Sequence, residues 1–450
     1  MYEDNLSQLK IKSGEKRFKH IINDSSPILP FRSHHLDQTK FDKGFDEIMG
    51  DFARILSNKT LEKNLDIDQL IEDMVLNDIT VNPENKEFFK LIIKEYLLKS
   101  NSELNLLHPY LFLYIEKTIR ARADNEKEIA IFFRDVMFKN IENFDSFFTN
   151  KETNNLIIKL FLNNIPKLPD KKITKKFISS LDFIIDIFKE DIEFIMNKPN
   201  FIIHNLNDIF AFYYFYYCSQ VILKLNQPYQ KVDLNSPTPV YYILDWEKVS
   251  KNRKTVNLGY NLIRDASLYG LVNMSLIEYL NSLSGTQGLF TSQIFDMLEK
   301  DEIDKKDYLK ILNEWIKYYD EVHQLNNYFY SEKFDELISI FKNDLNEGLS
   351  ERQKQGFGEN IDNLAKKYFI KKRGQYGNIL NINKENLYLI TALCIKDEKI
   401  KLNDLFKEYE RRGLFFDRHS KEEIVTLLNK WNLIDKKSDS GDAQYVKQIL

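Results

Sequence analysis

A chain of 450 residues exceeds the usual size of a single core, and 43% hydrophobic content with 13% aromatic side chains is ample for folded interiors. Two cysteines, Cys218 and Cys394, exclude a disulfide scaffold and a four-cysteine metal site, which makes the cytoplasm the expected compartment. The net charge of −4 argues against a generic nucleic-acid coat, yet residues 351–450 hold 20 Lys+Arg against 15 Asp+Glu, or +5, leaving −9 for residues 1–350.

In chain order, residues 1–40 are polar and contain S-S-P-I-L-P-F-R-S-H-H, where Pro27 and Pro30 forbid helix, so a mostly extended arm is expected. From there the pattern turns helical. Apolar residues recur at three-four spacing over 41–56, 67–77, 85–99, 109–123, 127–148, 153–162 and 174–196. With 14 glycines and 10 prolines in all, long helices joined by short loops are the expectation for a helical domain at 41–235. Residues 206–225 contain F-A-F-Y-Y-F-Y-Y-C. Rings on consecutive positions cover every side of a helix, which suits one buried all round; the alternative is a stacking platform for single-stranded nucleic acid. The longest apolar run, 209–223, contains Ser219 and Gln220 and no apolar leader follows Met1, so neither secretion nor a membrane span is expected.

Residues 236–350 read as a central helical region with one short strand. N-S-P-T-P breaks the preceding helix, and 240–246 has the β-branched and aromatic character of a strand. Helices are expected over 255–270, 275–284, 291–300 and, as one long element, 305–345.

Residues 351–450 form a basic domain. Helices are expected over 384–394 and 404–412, the second ended by Gly413 as a left-handed cap. A third begins at Ser420 as N-cap with Glu423 completing a capping box, and Ile424, Val425, Leu427, Leu428 and Trp431 give it one apolar face. In L-I-D-K-K-S-D-S-G-D-A-Q-Y-V-K the turn formers 438–442 lie between two apolar pairs, which predicts a hairpin. Helices followed by a hairpin outline a winged helix at the end of a mainly α, multi-helical chain. Such a module binds DNA or protein, or simply caps the helical body.

Several chemistries lack their residues. No G-x-x-x-x-G-K-S/T occurs, and Gly356 and Gly358 in Q-G-F-G-E-N lack the third glycine of a dinucleotide fingerprint and read as a flexible turn. None of the seven histidines has H-E-x-x-H spacing, and the adjacent pair His34 and His35 is expected to point its rings apart. Asp245, Glu247 and Lys248 in L-D-W-E-K-V resemble half of a metal-dependent nuclease centre, without a D-x-x-x-E-x-K partner nearby. No cofactor or metal is expected.

Two basic stretches are candidate DNA-backbone contacts, the alternative being solvated helix faces. In K-V-S-K-N-R-K-T-V they are Lys251, Arg253 and Lys254; in K-K-Y-F-I-K-K-R-G-Q-Y-G they are Lys366, Lys367, Lys371, Lys372 and Arg373, interleaved with rings. Lys436 and Lys437 on the wing add to them. The presumed recognition helix exposes Lys421, Glu422, Thr426, Asn429 and Lys430, and Glu422 and Glu423 stand at the end that meets DNA. That weakens base readout. Glu422, Glu423, Asp439, Asp442 and Tyr445 are therefore candidates for docking a protein partner.

R-G-L-F-F-D-R-H-S-K-E-E-I-V with K-K-S-D-S-G-D-A-Q-Y-V-K-Q-I-L, Y-I-L-D-W-E-K-V-S-K-N-R-K-T-V and the early I-L-P-F resemble the DptG (DndG) family. The resemblance implies a subunit of the three-component DptF, DptG and DptH restriction system, which spares DNA carrying phosphorothioate marks and damages unmarked DNA. ATPase and cleavage functions belong to the partners in such systems, and no catalytic motif carries over. The expectation is a cytoplasmic, non-catalytic subunit that bridges DptF-like and DptH-like partners and touches the backbone of double-stranded DNA. The rival readings are a winged-helix transcriptional regulator and a metal-dependent nuclease.

Overall fold

Apolar residues at helical spacing with few breakers give a chain in which helix dominates. The computed structural model describes residues 2–14, 18–22, 26–77, 82–100, 103–117, 125–248, 253–436 and 444–450. The helices run α1 (Tyr2–Ser13), α2 (Asp46–Leu56), α3 (Ile67–Asn77), α4 (Lys86–Leu97), α5 (Asn125–Phe132), α6 (Asp145–Thr149), α7 (Leu156–Asn164), α8 (Asp182–Ile195) and α9 (Pro199–Asn226). After the short strand β1 (Ile243–Leu244) come α10 (Tyr260–Leu268), α11 (Gly270–Ser284), α12 (Thr291–Glu299), α13 (Lys305–His323), α14 (Phe334–Gly348) and α15 (Glu351–Tyr368). The last part holds β2 (Ile370–Lys372), β3 (Asn378–Ile382), α16 (Lys384–Ile395), β4 (Ile400–Lys401), α17 (Leu402–Arg411), α18 (Arg418–Lys430), β5 (Ile434–Lys436) and β6 (Gln444–Val446).

The chain divides into two compact units, one of residues 42–176 and 189–210, the other of residues 1–41, 177–188 and 211–450. The boundary expected near residue 41 falls at their junction, and those expected at 236 and 351 fall inside the larger unit.

Aromatic rings fill the smaller unit. Phe133 stacks on Phe210 with centroids 4.0 Å apart, and Phe52 meets Phe138 at 4.7 Å and Phe210 at 5.0 Å. Arg54 is buried among them, with its guanidinium on the Asp51 carboxylate at 2.9 Å and the carbonyls of Leu113 and Ile115. The single helix expected over 127–148 is interrupted. α5 widens into a π-helical turn at Phe133–Met137, and Asn143 takes the left-handed conformation at φ 58°, which ends the run before α6. Likewise Pro109–Tyr114 is a buried 3-10 turn and not the start of a long α-helix; the His108 ring caps it by accepting from the Tyr110 amide.

In the larger unit the aromatic run is core, as its consecutive rings imply. Ala211 through Leu223 are all buried on α9, and Phe215 stacks on Phe369 at 4.5 Å. The arm differs from expectation, because residues 2–13 form α1, which buries Leu6, Leu9 and Ser13, while the stretch around Pro27 and Pro30 is free of helix. His34 and His35 stack on each other at 5.4 Å instead of diverging. The long element expected over 305–345 is two helices. Gln324 and Asn326 turn left-handed, and the Asp320 carboxylate takes the amides of Asn327 at 2.7 Å and Tyr328 at 3.0 Å, which stabilises the break.

Gly356 and Gly358 are no turn but interior residues of α15. Here the extended arm crosses the helix. A Cβ at Gly356 would collide with the Ser33 carbonyl oxygen, and Asn360 grips the arm through the amide of Arg32 at 3.2 Å and its carbonyl at 2.7 Å. Gln38 donates to the Gly356 carbonyl, and the Asn363 amide donates to Gln38.

Two small sheets complete the larger unit. In the first, β1 runs parallel to β3 with Ile243 opposite Asn381, and β3 is antiparallel to β2 with Leu380 opposite Ile370. The β2–β3 hairpin has no counterpart among the expected elements. In the second, the order is β4-β6-β5, all antiparallel, with Val446 opposite both Ile400 and Ile434. Leu387, Leu393, Leu405, Tyr409, Ile424 and Leu428 of α16, α17 and α18 are buried with Val446. Gly413 ends this second helix at φ 76° as its position requires, and the Tyr216 ring leaves no room there for a Cβ.

Gly356→Ala gains about 1 kcal/mol of helix propensity but forces backbone apart, a net destabilisation of about 1–3 kcal/mol in urea unfolding. At Gly358 the nearest obstacle is the Ser267 hydroxyl at 3.2 Å, so alanine there should be close to neutral, and equal effects at both sites would refute the arm's docking on Gly356.

Candidate functional site

The basic residues of the larger unit sort into those enclosed by the fold and those left at its surface. Arg253 is enclosed. β1 leads into a turn in which the Leu244 amide donates to Glu247 Oε2 at 3.2 Å, which turns the Glu247 carboxylate inward. Arg253 donates through Nη1 to Glu247, through Nε to Asp417 Oδ2 at 2.9 Å, and through Nη2 to Asp417 Oδ1 at 2.5 Å and Ser420 Oγ at 3.1 Å. Ser420 Oγ in turn donates to Glu247 Oε2 at 2.9 Å, and Thr255 Oγ1 donates to Asp417 at 2.7 Å. The Arg253 and Glu247 side chains are each only 4% exposed. A planar fork with five donors fits two carboxylates in a way no ammonium does.

This network corrects the expected start of α18. Asp417, not Ser420, is the N-cap, accepting from the Ser420 amide at 3.0 Å, and Ser420 lies inside the first turn with its hydroxyl facing the interior. Both positions carry a capping residue type. Asp417 prevails because its carboxylate caps the helix and receives Arg253 at once. Burial alone would raise the Asp417 carboxyl, but the bonds from Arg253, the Ser420 amide and Thr255 outweigh it and hold its pKa below the usual aspartate value.

Lys371 and Arg373 close on the same strand end, Lys371 with its side chain still 41% exposed. Lys371 pairs with the Asp245 carboxylate, and Arg373 donates to the carbonyls of Leu244 at 3.1 Å, Asp245 at 2.6 Å and Glu247 at 3.1 Å. Arg253, expected as a backbone contact for DNA, is enclosed between the strand end of β1 and the cap of α18, while Lys371 and Arg373 tie the end of β1 to β2. Asp245 and Glu247, the half-centre of a nuclease, are thereby engaged by cations of the chain itself. Among the described residues no group of three or more His, Cys, Asp or Glu stands together in a way that would hold a metal ion.

The surface set is smaller. Lys366 and Lys367 lie exposed in the last turn of α15, Lys372 is exposed on β2, and Lys254 is exposed where a 3-10 turn begins. Lys436 sits on β5 opposite Gln444. Lys251, Lys437, Asp439 and Asp442 lie outside the described residues.

On α18 the exposed charges largely cancel. Arg418 Nε meets Glu422 at 2.9 Å one turn on, and Lys421 reaches across to Glu410 of α17 at 3.0 Å. Glu423, Thr426, Asn429 and Lys430 are exposed beside them. Tyr445 on β6 is half-buried under the Lys399 ammonium at 5.4 Å from its ring.

No family model matches the chain, and no curated protein matches it. Among the described residues no helix is long and apolar enough to cross a membrane.

Removing one member of a buried pair leaves the other charge unpaired. Arg253→Met should cost about 3–5 kcal/mol in chemical denaturation, whereas the joint replacement of Arg253, Glu247 and Asp417 by apolar residues should cost far less. Because the folded pKa of Asp417 lies below the unfolded one, its contribution is full above the ordinary aspartate range and is lost as pH falls through it. Thermal melts should therefore show the difference between wild type and Asp417→Asn shrinking below about pH 4; a difference constant from about pH 7 to about pH 3 would refute this role.

Proposed function

We propose that this chain is a non-catalytic subunit of a DNA phosphorothioation-dependent restriction complex, the role its resemblance to the DptG family implies. In this reading α16, β4, α17, α18, β5 and β6 form a winged helix that docks a protein partner, and DNA is touched only along its backbone. The observation that carries the docking role is the charge balance on α18. A helix that enters the major groove needs unpaired basic or amide side chains at its N-terminal end. Here Arg418 is paired with Glu422, and Glu423 follows it on the exposed face.

The backbone contact is assigned to the lysines that the fold leaves outside. Lys366, Lys367 and Lys372 cluster where α15 passes into β2, and a cluster of ammonium groups without base-reading partners holds phosphate regardless of sequence. DptF-like and DptH-like subunits would supply the ATPase and cleavage activities, and the cytoplasm is the compartment in which such a complex meets invading DNA.

Affinity purification of the tagged chain from its host should recover an ATPase subunit, and the assembled complex should bind duplex DNA without preference for sequence. Replacing Lys366, Lys367 and Lys372 together by Glu should leave the melting temperature of the chain nearly unchanged. For every phosphate that these lysines neutralise in the wild type, the substitution should reduce the salt slope of binding by roughly one unit. Recovery of the chain alone, or protection of one defined DNA sequence, would count against the reading and favour a regulator.

A further inference from the structure

A cavity of about 280 Å³ opens in the larger unit, bounded by the end of α9, the middle of α11, the start of α12 and one face of α14. Its walls carry polar groups that the chain itself does not satisfy. Lys342 is drawn from solvent on α14, and no described side chain or carbonyl gives its ammonium a hydrogen bond or a counter-ion. Asn273, only 2% exposed, has a side-chain oxygen without a partner, and so has the Ser292 hydroxyl. Ser292 and Thr291 open α12; the Gln293 amide turns back to the Phe290 carbonyl at 3.0 Å, which leaves the amides of Thr291 and Ser292 as the open donors of its first turn.

A desolvated cation beside a hydroxyl and a helix N-terminus is suited to an anion, since each group gains in its presence what it lacks without it. A second ammonium, Lys224, lines the same cavity but is already held by the carbonyls of Asp233 and Ser236. It adds positive field, with two of its three donors already spent.

The other end has the opposite character. Asp335 lies two turns before Lys342 on α14, about 10 Å away along the axis, and its carboxylate accepts from the Tyr229 hydroxyl and from Gln230 at 2.8 Å. That end repels an anion and attracts an N–H donor. Between the two ends Leu276, Ile277, Phe290 and Ile338 offer apolar surface that suits a flat ring. A phosphate at one end, an amino-bearing ring at the other and a separation of about 10 Å describe a mononucleotide unit.

We propose that this cavity binds a nucleoside 5′-phosphate, with the phosphate held by Lys342, Ser292 and the start of α12 and the base directed toward Asp335. The site stands apart from the docking surface and does not depend on the restriction reading. The same chemistry occurs in a free mononucleotide and at the 5′-phosphorylated end of a strand.

Titration calorimetry of the full chain should show AMP binding at a single site, with adenosine and inorganic phosphate each much weaker. Lys342→Met should weaken AMP by about 10- to 100-fold, the effect of losing one charge-assisted contact, and without ligand it should melt no lower than wild type because a desolvated charge is removed. Ser292→Ala should weaken AMP binding less, and serves as the second variant if Lys342→Met fails to fold. Displacement of AMP by a 5′-phosphorylated hexanucleotide, but not by its unphosphorylated form, would place the source at a strand end; failure of both to compete would place it in the free nucleotide pool. Absence of AMP binding, or binding that both variants leave unchanged, overturns the proposal.

Discussion

The fork of Arg253 between Glu247 and Asp417 is the interaction on which the C-terminal half depends. It joins residues 164 apart in sequence and ties the turn after β1 to the first turn of α18. Without it the Asp417 carboxylate would cap α18 alone, and the Glu247 carboxylate would stand in an interior with only Ser420 and a backbone amide to satisfy it. Arg373 repeats the logic one strand away, since its guanidinium closes over the carbonyls of Leu244, Asp245 and Glu247. The end of β1 is thus held by two guanidinium groups and one ammonium. A two-residue strand has too few ladder bonds to fix its own end, and these cations do it instead.

That use of cations changes what the basic C-terminal charge means. An excess of +5 over residues 351–450 suggests a surface field for DNA. Yet Arg373 and Lys371 are turned toward β1, and Arg412 is wholly buried on Glu408 and the carbonyl of Leu393. Exposed basic side chains remain along the whole segment, from Arg352 and Lys384 to Lys430 and Lys447, beside those at the end of α15 and on β2.

Legibility in the sequence follows the range of the forces. α3 is legible to the residue and α16 to within one, because local amphipathic periodicity decides both. Gly413 is legible because only a left-handed residue ends that helix. Most of what stays hidden is long-range. Gly356 looks like a breaker until the Ser33 carbonyl is placed against it, and α1 looks polar until its Leu6 and Leu9 find a core in the larger unit. Ser420 and Asp417 are equally good caps by type, and only an arginine 164 residues before Asp417 chooses between them. The split of 305–345 turns on Asp320 reaching two amides past the end of α13, a local motif hidden by continuous apolar spacing. Of the candidate site, the pairing of Arg253 with Glu247 and Asp417 and of Lys371 with Asp245 requires acidic partners that sequence distance conceals.

A docking helix binds tightly when it loses little freedom on contact. α18 is fixed at its start by Arg253 and Thr255 on Asp417, along its length by Ile424 and Leu428 in the core, and sideways by Lys421 on Glu410. Its exposed face therefore arrives pre-set, with Glu423, Thr426 and Asn429 in a known order. Because the fixing bonds at its start are ionic and enclosed, they are screened little by salt, whereas the exposed lysines of α15 and β2 are screened strongly. In the proposed reading, salt would therefore loosen a DNA-backbone contact at these lysines while leaving the start of α18 fixed.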